Sequence, residues 1–161
     1  MQGRSRDIYG RRATSTSRGR TQQRIMDLQH DPATIPGAEE HLAAPAPGSI
    51  ASSLAAFHRT WVVEQPVAPR RAYERTLALL LRDLAEAGPA PQDPVTDLDG
   101  RRLAAHATWR LQVGLTGEGE LRRLPVHLAR IGEHLAADGA PDMGDVRART
   151  RGLVEEHLSG G

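Results

Sequence analysis

The stretch "YERTLALLLRDLAEAG", residues 73–88, constrains the fold more than any other part of the chain. Tyr73, Leu77, Leu80, Leu81 and Leu84 recur at i, i+4, i+7, i+8 and i+11, the spacing that puts apolar side chains on one face of an α-helix. Arg75, Arg82 and Glu86 fall elsewhere, and Gly88 closes the run as a glycine closes a helix. Pro69, just ahead, fits a first turn, where a missing N–H costs nothing. A helix of this kind needs a partner surface, and the rest of the chain has to supply it.

Three further segments carry the same period. "SIASSLAAFHRTWVVE", 49–64, opens on Ser49 as an N-cap and places Ile50, Leu54, Phe57 and Trp61 at helical spacing before Pro66. After the proline-spaced loop "PAPQDPV", "TDLDGRRLAAHATWRLQVG" (96–114) predicts a third helix, capped by Thr96 or Asp97 with Asp99 in its first turn. Its expected strip is Leu98, Arg102, Ala105 and Trp109. "GLTGEGE" interrupts the pattern with three glycines.

A fourth helix is expected in 120–139, with Leu121, Leu124, Leu128, Ile131 and Leu135 on its apolar side. Pro125 would cost about 3 kcal/mol inside it, so the regular helix is expected to begin near Leu124 or to kink at Pro125. "GDVRARTRGLVEEHLSG" (144–160), with only a partial stripe of Val146, Leu153 and Val154, is expected to pack weakly or extend away. No segment alternates with the two-residue period of a strand, so the expected class is all-α: a four-helix bundle and a short C-terminal helix.

The first 48 residues read differently. Residues 1–24 hold Arg4, Arg6, Arg11, Arg12, Arg18, Arg20 and Arg24 against the single acid Asp7, with almost nothing to bury, and predict a disordered arm. Such an arm either lies along phosphates or is a solvated tail, and Met26 is an alternative translation start. Residues 32–49, rich in Pro, Ala and Gly, read as a linker. The resulting division is 1–48 tail and linker, 49–139 helical domain, and 140–161 C-terminal helix.

Chemistry is mostly excluded. The 161 residues contain no cysteine, and all 21 basic residues are arginine, so thiol catalysis, lysine Schiff bases and lysine phosphate clamps are ruled out. His127 and His134 are seven apart, whereas metal ligands on a helix sit three or four apart, so no metal or other cofactor is expected. No nucleophile motif or phosphate loop is present, and the acid pairs Asp97/Asp99 and Glu155/Glu156 suit a helix start and a solvated face. No apolar run approaches the roughly 20 residues of a membrane span, and no secretion signal opens the chain, so a cytoplasmic protein without catalytic residues is expected.

The order of these helices resembles the N-terminal core-binding domain of tyrosine recombinases, the SAM-like half of phage integrases. The parallel runs from "SLAAFHRTWVVE" through "PRRAYERTLALLLRDLAEAG" and "DPVTDLDGRRLAAHATWR" to "ELRRLPVHLARIGEHLAADG", roughly residues 49–139, although Pro69 stands where the family has a threonine. The resemblance implies a four-helix SAM-like orthogonal bundle whose second and fourth helices face duplex DNA. Position by position it nominates Arg70, Arg71 and Arg75, and Arg122, Arg123 and Arg130, with Tyr73 as a packing residue. Arginine suits this task, since its planar fork grips a phosphate or reads a guanine edge. The family's catalytic tyrosine belongs to a second domain that residues 140–161 cannot supply, so the implied role is non-catalytic.

Charge leaves an alternative open. Residues 50–140 balance eleven arginines against eleven acids, and the whole chain is only +1. A helical module that pairs with itself or with a partner helix is therefore the second expectation, and a remnant of a larger integrase the third.

Overall fold

Ser49 begins the first long helix as its residue type predicts: its backbone is extended, and its Oγ accepts a hydrogen bond from the Ser52 N–H. The two N–H groups before that one donate to the loop at 89–95, Ile50 to the Asp93 carbonyl at 2.9 Å and Ala51 to the Pro91 carbonyl at 2.7 Å. The loop thus satisfies donors that a helix start leaves unpaired. The computed structural model describes residues 35–114 and 116–160, and the arm expected in 1–24 lies outside them.

Seven helices are described: α1 (Glu39–Leu42), α2 (Ile50–Thr60), α3 (Val67–Ala87), α4 (Gly100–Ala104), α5 (His106–Val113), α6 (Glu118–Ala137) and α7 (Val146–Gly160). Short 3-10 turns at Val62–Glu64 and Val95–Asp97 join them. The only β pairing among the described residues is an isolated bridge between Ser49 and Pro94, so the class is all-α.

The stripes read from the sequence form the core. Ile50, Leu54 and Phe57 of α2, Tyr73, Leu77, Leu80, Leu81 and Leu84 of α3, and Leu121, Leu124, Leu128, Ile131 and Leu135 of α6 are all buried. Helix α6 touches α2, α3, α4 and α7, which makes it the common wall of the bundle.

Several expectations need correction. The described part of the stretch taken for a linker holds buried Ile35, Ala38 and Leu42, at i, i+3 and i+7. These three apolar residues give 35–48 a surface to bury against α2, despite the surrounding Pro and Gly. The third helix is two, since Thr96 and Asp97 belong to a 3-10 turn and Asp99 is the cap, its Oδ1 accepting from the Arg102 N–H at 2.8 Å. The buried side of α4 and α5 is Leu103, Ala104, His106, Ala107 and Arg110, whereas Arg102, Ala105 and Trp109 of the expected strip are half-buried.

Helix α6 starts at Glu118 and continues through Pro125. A proline there costs about 3 kcal/mol. Burying a leucine contributes about 2 kcal/mol, and the turn that Pro125 would otherwise end carries two, Leu121 and Leu124, so packing outweighs the lost hydrogen bond. Helix α7, expected to be loose, lies along α6 and also meets α4 and α5, with Val146, Thr150 and Val154 buried at i, i+4 and i+8. Polar Thr150 completes that stripe because its hydroxyl donates to the Val146 carbonyl at 2.7 Å.

Close approach near α7 requires a specific glycine. The Gly100 N–H donates to the Pro141 carbonyl at 3.0 Å, and a Cβ at Gly100 would collide with the Asp142 carbonyl oxygen. No side chain other than hydrogen fits there.

Candidate nucleic-acid interface

Helices α3 and α6 meet along a seam that holds most of the aromatic residues of the domain. Tyr73 stacks on His127 with ring centroids 3.9 Å apart, and the Thr76 hydroxyl shares a 2.9 Å hydrogen bond with His127 Nδ1. Tyr73 also presents its edge to Trp61 and Phe57, and Phe57 packs against both Trp61 and His134. The Arg130 guanidinium lies over the Trp61 ring at 4.5 Å. This contact is favourable, because the ring face is the negative end of its quadrupole.

Burial sets the titration of this cluster. It pushes His127 down to about 4, helped by the positive charges of Arg123 and Arg110, so the imidazole is neutral at pH 7. Burial raises Tyr73, more strongly than the charge and hydrogen bond of Arg130 lower it. The resemblance implied Tyr73 as a packing residue, and the structure stacks it on His127, which also bonds Thr76, while His134 packs against Phe57.

The six nominated arginines divide by helix face. On α6, Glu120, Arg123, His127 and Arg130 follow at i, i+3, i+7 and i+10, so Arg123 and Arg130 share the seam side with His127. On α3, the Arg75 Nε donates to Glu120 Oε1 across the seam at 2.8 Å, and exposed Arg71 lies one turn before it. Arg70 and Arg122 do not join them. Arg70 is one turn before Glu74, whose carboxylate meets His58 of α2 at 2.7 Å, and the Arg70 Nε is buried without a hydrogen-bond partner. Arg122 lies one residue, about 100° of helix, round from Arg123 and pairs with Glu118 at 2.9 Å.

Glu120 carries more than the sequence suggested. The same Oε1 accepts from the Arg110 Nη2 at 2.9 Å, while the Arg110 Nε donates to the Thr116 hydroxyl at 2.6 Å. Arg110 is only 1% exposed, and its burial lowers its proton affinity against the pull of Glu120. One carboxylate therefore faces two guanidinium groups, and net positive charge remains on the seam.

A second polar cluster ties α3 to α4 and α5. Asp83, 1% exposed, accepts from the Arg102 Nη2 at 2.7 Å and is 2.8 Å from His106 Nδ1, and the Arg102 Nε donates to the Gly88 carbonyl that ends α3. Burial alone would raise the Asp83 carboxyl, but the bonds from His106 and Arg102 outweigh it and hold it below the usual range. Burial keeps His106 below its usual value despite Asp83. With His106 fully buried, this cluster is a clamp rather than a reactive site. Its one sequence signal is an acid at Asp83, beside the leucine stripe of α3.

Among the described residues no group of His, Asp and Glu could hold a metal ion, and no helix is long and apolar enough to cross a membrane. Comparison with known protein families, with curated proteins and with solved structures finds no match.

Proposed function

We propose that this chain is a non-catalytic protein that holds duplex DNA, in the manner implied by its resemblance to the core-binding domain of tyrosine recombinases. The observation that carries the reading is the grouping of Arg75, Arg123 and Arg130 along the α3–α6 seam, with Arg130 held over Trp61 and exposed Arg71 one turn before Arg75. Four guanidinium groups on two adjacent helices suit phosphates, since each can grip one with two hydrogen bonds. Arg70, whose Nε is buried, and Arg122, paired with Glu118, have lesser parts in this reading. A cytoplasmic location belongs to the same proposal.

The test is a fluorescence-anisotropy titration of the full chain with a labelled duplex at several salt concentrations. Contacts to about four phosphates give a slope of log affinity against log salt of about −3 to −4. Arg123→Ala combined with Arg130→Ala should reduce that slope by about two. Absence of binding to any duplex at low salt would overturn the reading.

A second reading is supported by Val63, Val67 and Val126, which are large apolar side chains left exposed. Val126 lies on α6 one turn from both Arg122 and Arg130, where a partner helix or a second copy could cover it. Light scattering separates the two, because a strictly monomeric chain removes self-association.

A further inference from the structure

The outward side of α3 carries an arginine row that extends beyond the seam. Arg71, Arg75 and Arg82 recur at i, i+4 and i+11, so they are about 6 Å and then about 10 Å apart along the helix axis. All three line a cleft of about 510 Å³, walled on one side by Pro36 and Gly37. The wall is close to the helix, since a Cβ on Gly37 would be 3.5 Å from that of Ala78. Between Arg75 and Arg82 the cleft is lined by Ala78 and Leu79, so its middle is apolar and its ends are cationic.

Its charge is poorly compensated at Arg71 and Arg82. Glu74 is the one acid among the described lining residues, and its carboxylate is engaged by His58 at 2.7 Å. Arg75 shares Glu120 with Arg110. Arg82 is 3.5 Å from Glu86, but both side chains are more than half exposed, so water screens the pair. Arg71 has no ion-pair partner among the described residues. A cleft in which three cations outnumber one engaged acid carries a net positive field, which concentrates anions.

We propose that this cleft binds an elongated organic dianion, with one acid group at Arg71 and Arg75, an apolar body along Leu79 against Pro36, and a second acid at Arg82. Arg75 and Arg82 are about 10 Å apart along the helix axis with Ala78 and Leu79 between them, a spacing that suits two acid groups held apart by an apolar body. The volume lies in the range of small-molecule sites. The inference shares Arg71 and Arg75 with the DNA reading and adds Arg82 and the apolar middle of the cleft, which that reading does not use.

Calorimetric titration of the full chain at fixed ionic strength tests it, with biphenyl dicarboxylate bearing its acids at the two para ends, biphenyl monocarboxylate and inorganic sulfate as probes. The expected result is one saturable site that binds the dicarboxylate at least tenfold more tightly than the monocarboxylate. Arg82→Ala, at an exposed position, should bring the dicarboxylate to the level of the monocarboxylate and leave the latter unchanged. Ala78→Phe, which fills the cleft without changing charge, should weaken both. Unsaturable binding, equal affinity for sulfate and dicarboxylate, or an Arg82→Ala variant with wild-type preference would each overturn the proposal. No nucleic acid enters these titrations, so they are decided independently of duplex binding.

Discussion

Tyr73 and His127, 54 positions apart in the chain, stack at an interplanar angle of 27° and join α3 to α6 at the centre of the seam. The stack depends on a neutral imidazole in a dry site, and the nearby charges of Arg123 and Arg110 both oppose its protonation. Packing and titration at this point are therefore linked.

Stability should fall as pH drops from 7 to 5. In the unfolded chain His127 titrates near 6.5, and in the folded chain at about 4, so between these values the unfolded state binds more protons and acid favours it. The loss attributable to His127 is about 2 kcal/mol by pH 5, and it levels off below about pH 4. His106, also held low by burial, acts in the same direction, so urea melts of wild type and His127→Gln at both pH values isolate the contribution. An unchanged pH slope in the variant would disprove it.

Asp83→Ala should cost about 3 kcal/mol, because it leaves Arg102 and the buried His106 without their carboxylate. Asp83→Asn, which can retain part of the hydrogen bonding, should cost less. Urea midpoints order the variants, and an Asp83→Ala protein as stable as wild type would contradict the clamp.

Gly100→Ala should destabilise by about 2 kcal/mol through overpacking against the Asp142 carbonyl. Gly152→Ala, on the exposed side of α7 with open space around its Cα, should be neutral or stabilising. Thermal melts should therefore show a lowered midpoint for Gly100→Ala and none for Gly152→Ala.

Glu120→Gln separates stability from binding. Arg110 loses a charged partner in a largely buried place, which should cost about 1 to 2 kcal/mol. If the seam holds duplex DNA, the same change should raise low-salt affinity several-fold, since it removes the one negative charge shared by Arg75 and Arg110. Reduced duplex affinity in a folded variant would count against the proposed function.

Much of the fold was legible because helical periodicity is a local property. The stripe from Tyr73 to Leu84, the stripe from Leu121 to Leu135 and the Ser49 cap can be read within a few turns of chain, and each is found in its expected place. The period of Ile35, Ala38 and Leu42 was also present, masked by the proline and glycine around it. The fate of α7 was less visible: its stripe depends on Thr150, a polar residue that becomes buried by bonding to its own helix.

Sequence by itself determined the class of the fold, the apolar faces of α2, α3 and α6, and the absence of lysine and cysteine chemistry, because these follow from residue type and short-range spacing. Tertiary structure alone decided what each face meets. It paired Arg75 with an acid 45 positions away, and it shared that acid with Arg110. It also set Arg75 against α6, left Arg71 in a cleft with Pro36 and Gly37, buried the Arg70 Nε and paired Arg122 with Glu118. Charge has no period of its own: whether a guanidinium is paired, stacked or open to an anion depends on which helices pack side by side, and the arginine's own position in the chain does not specify that.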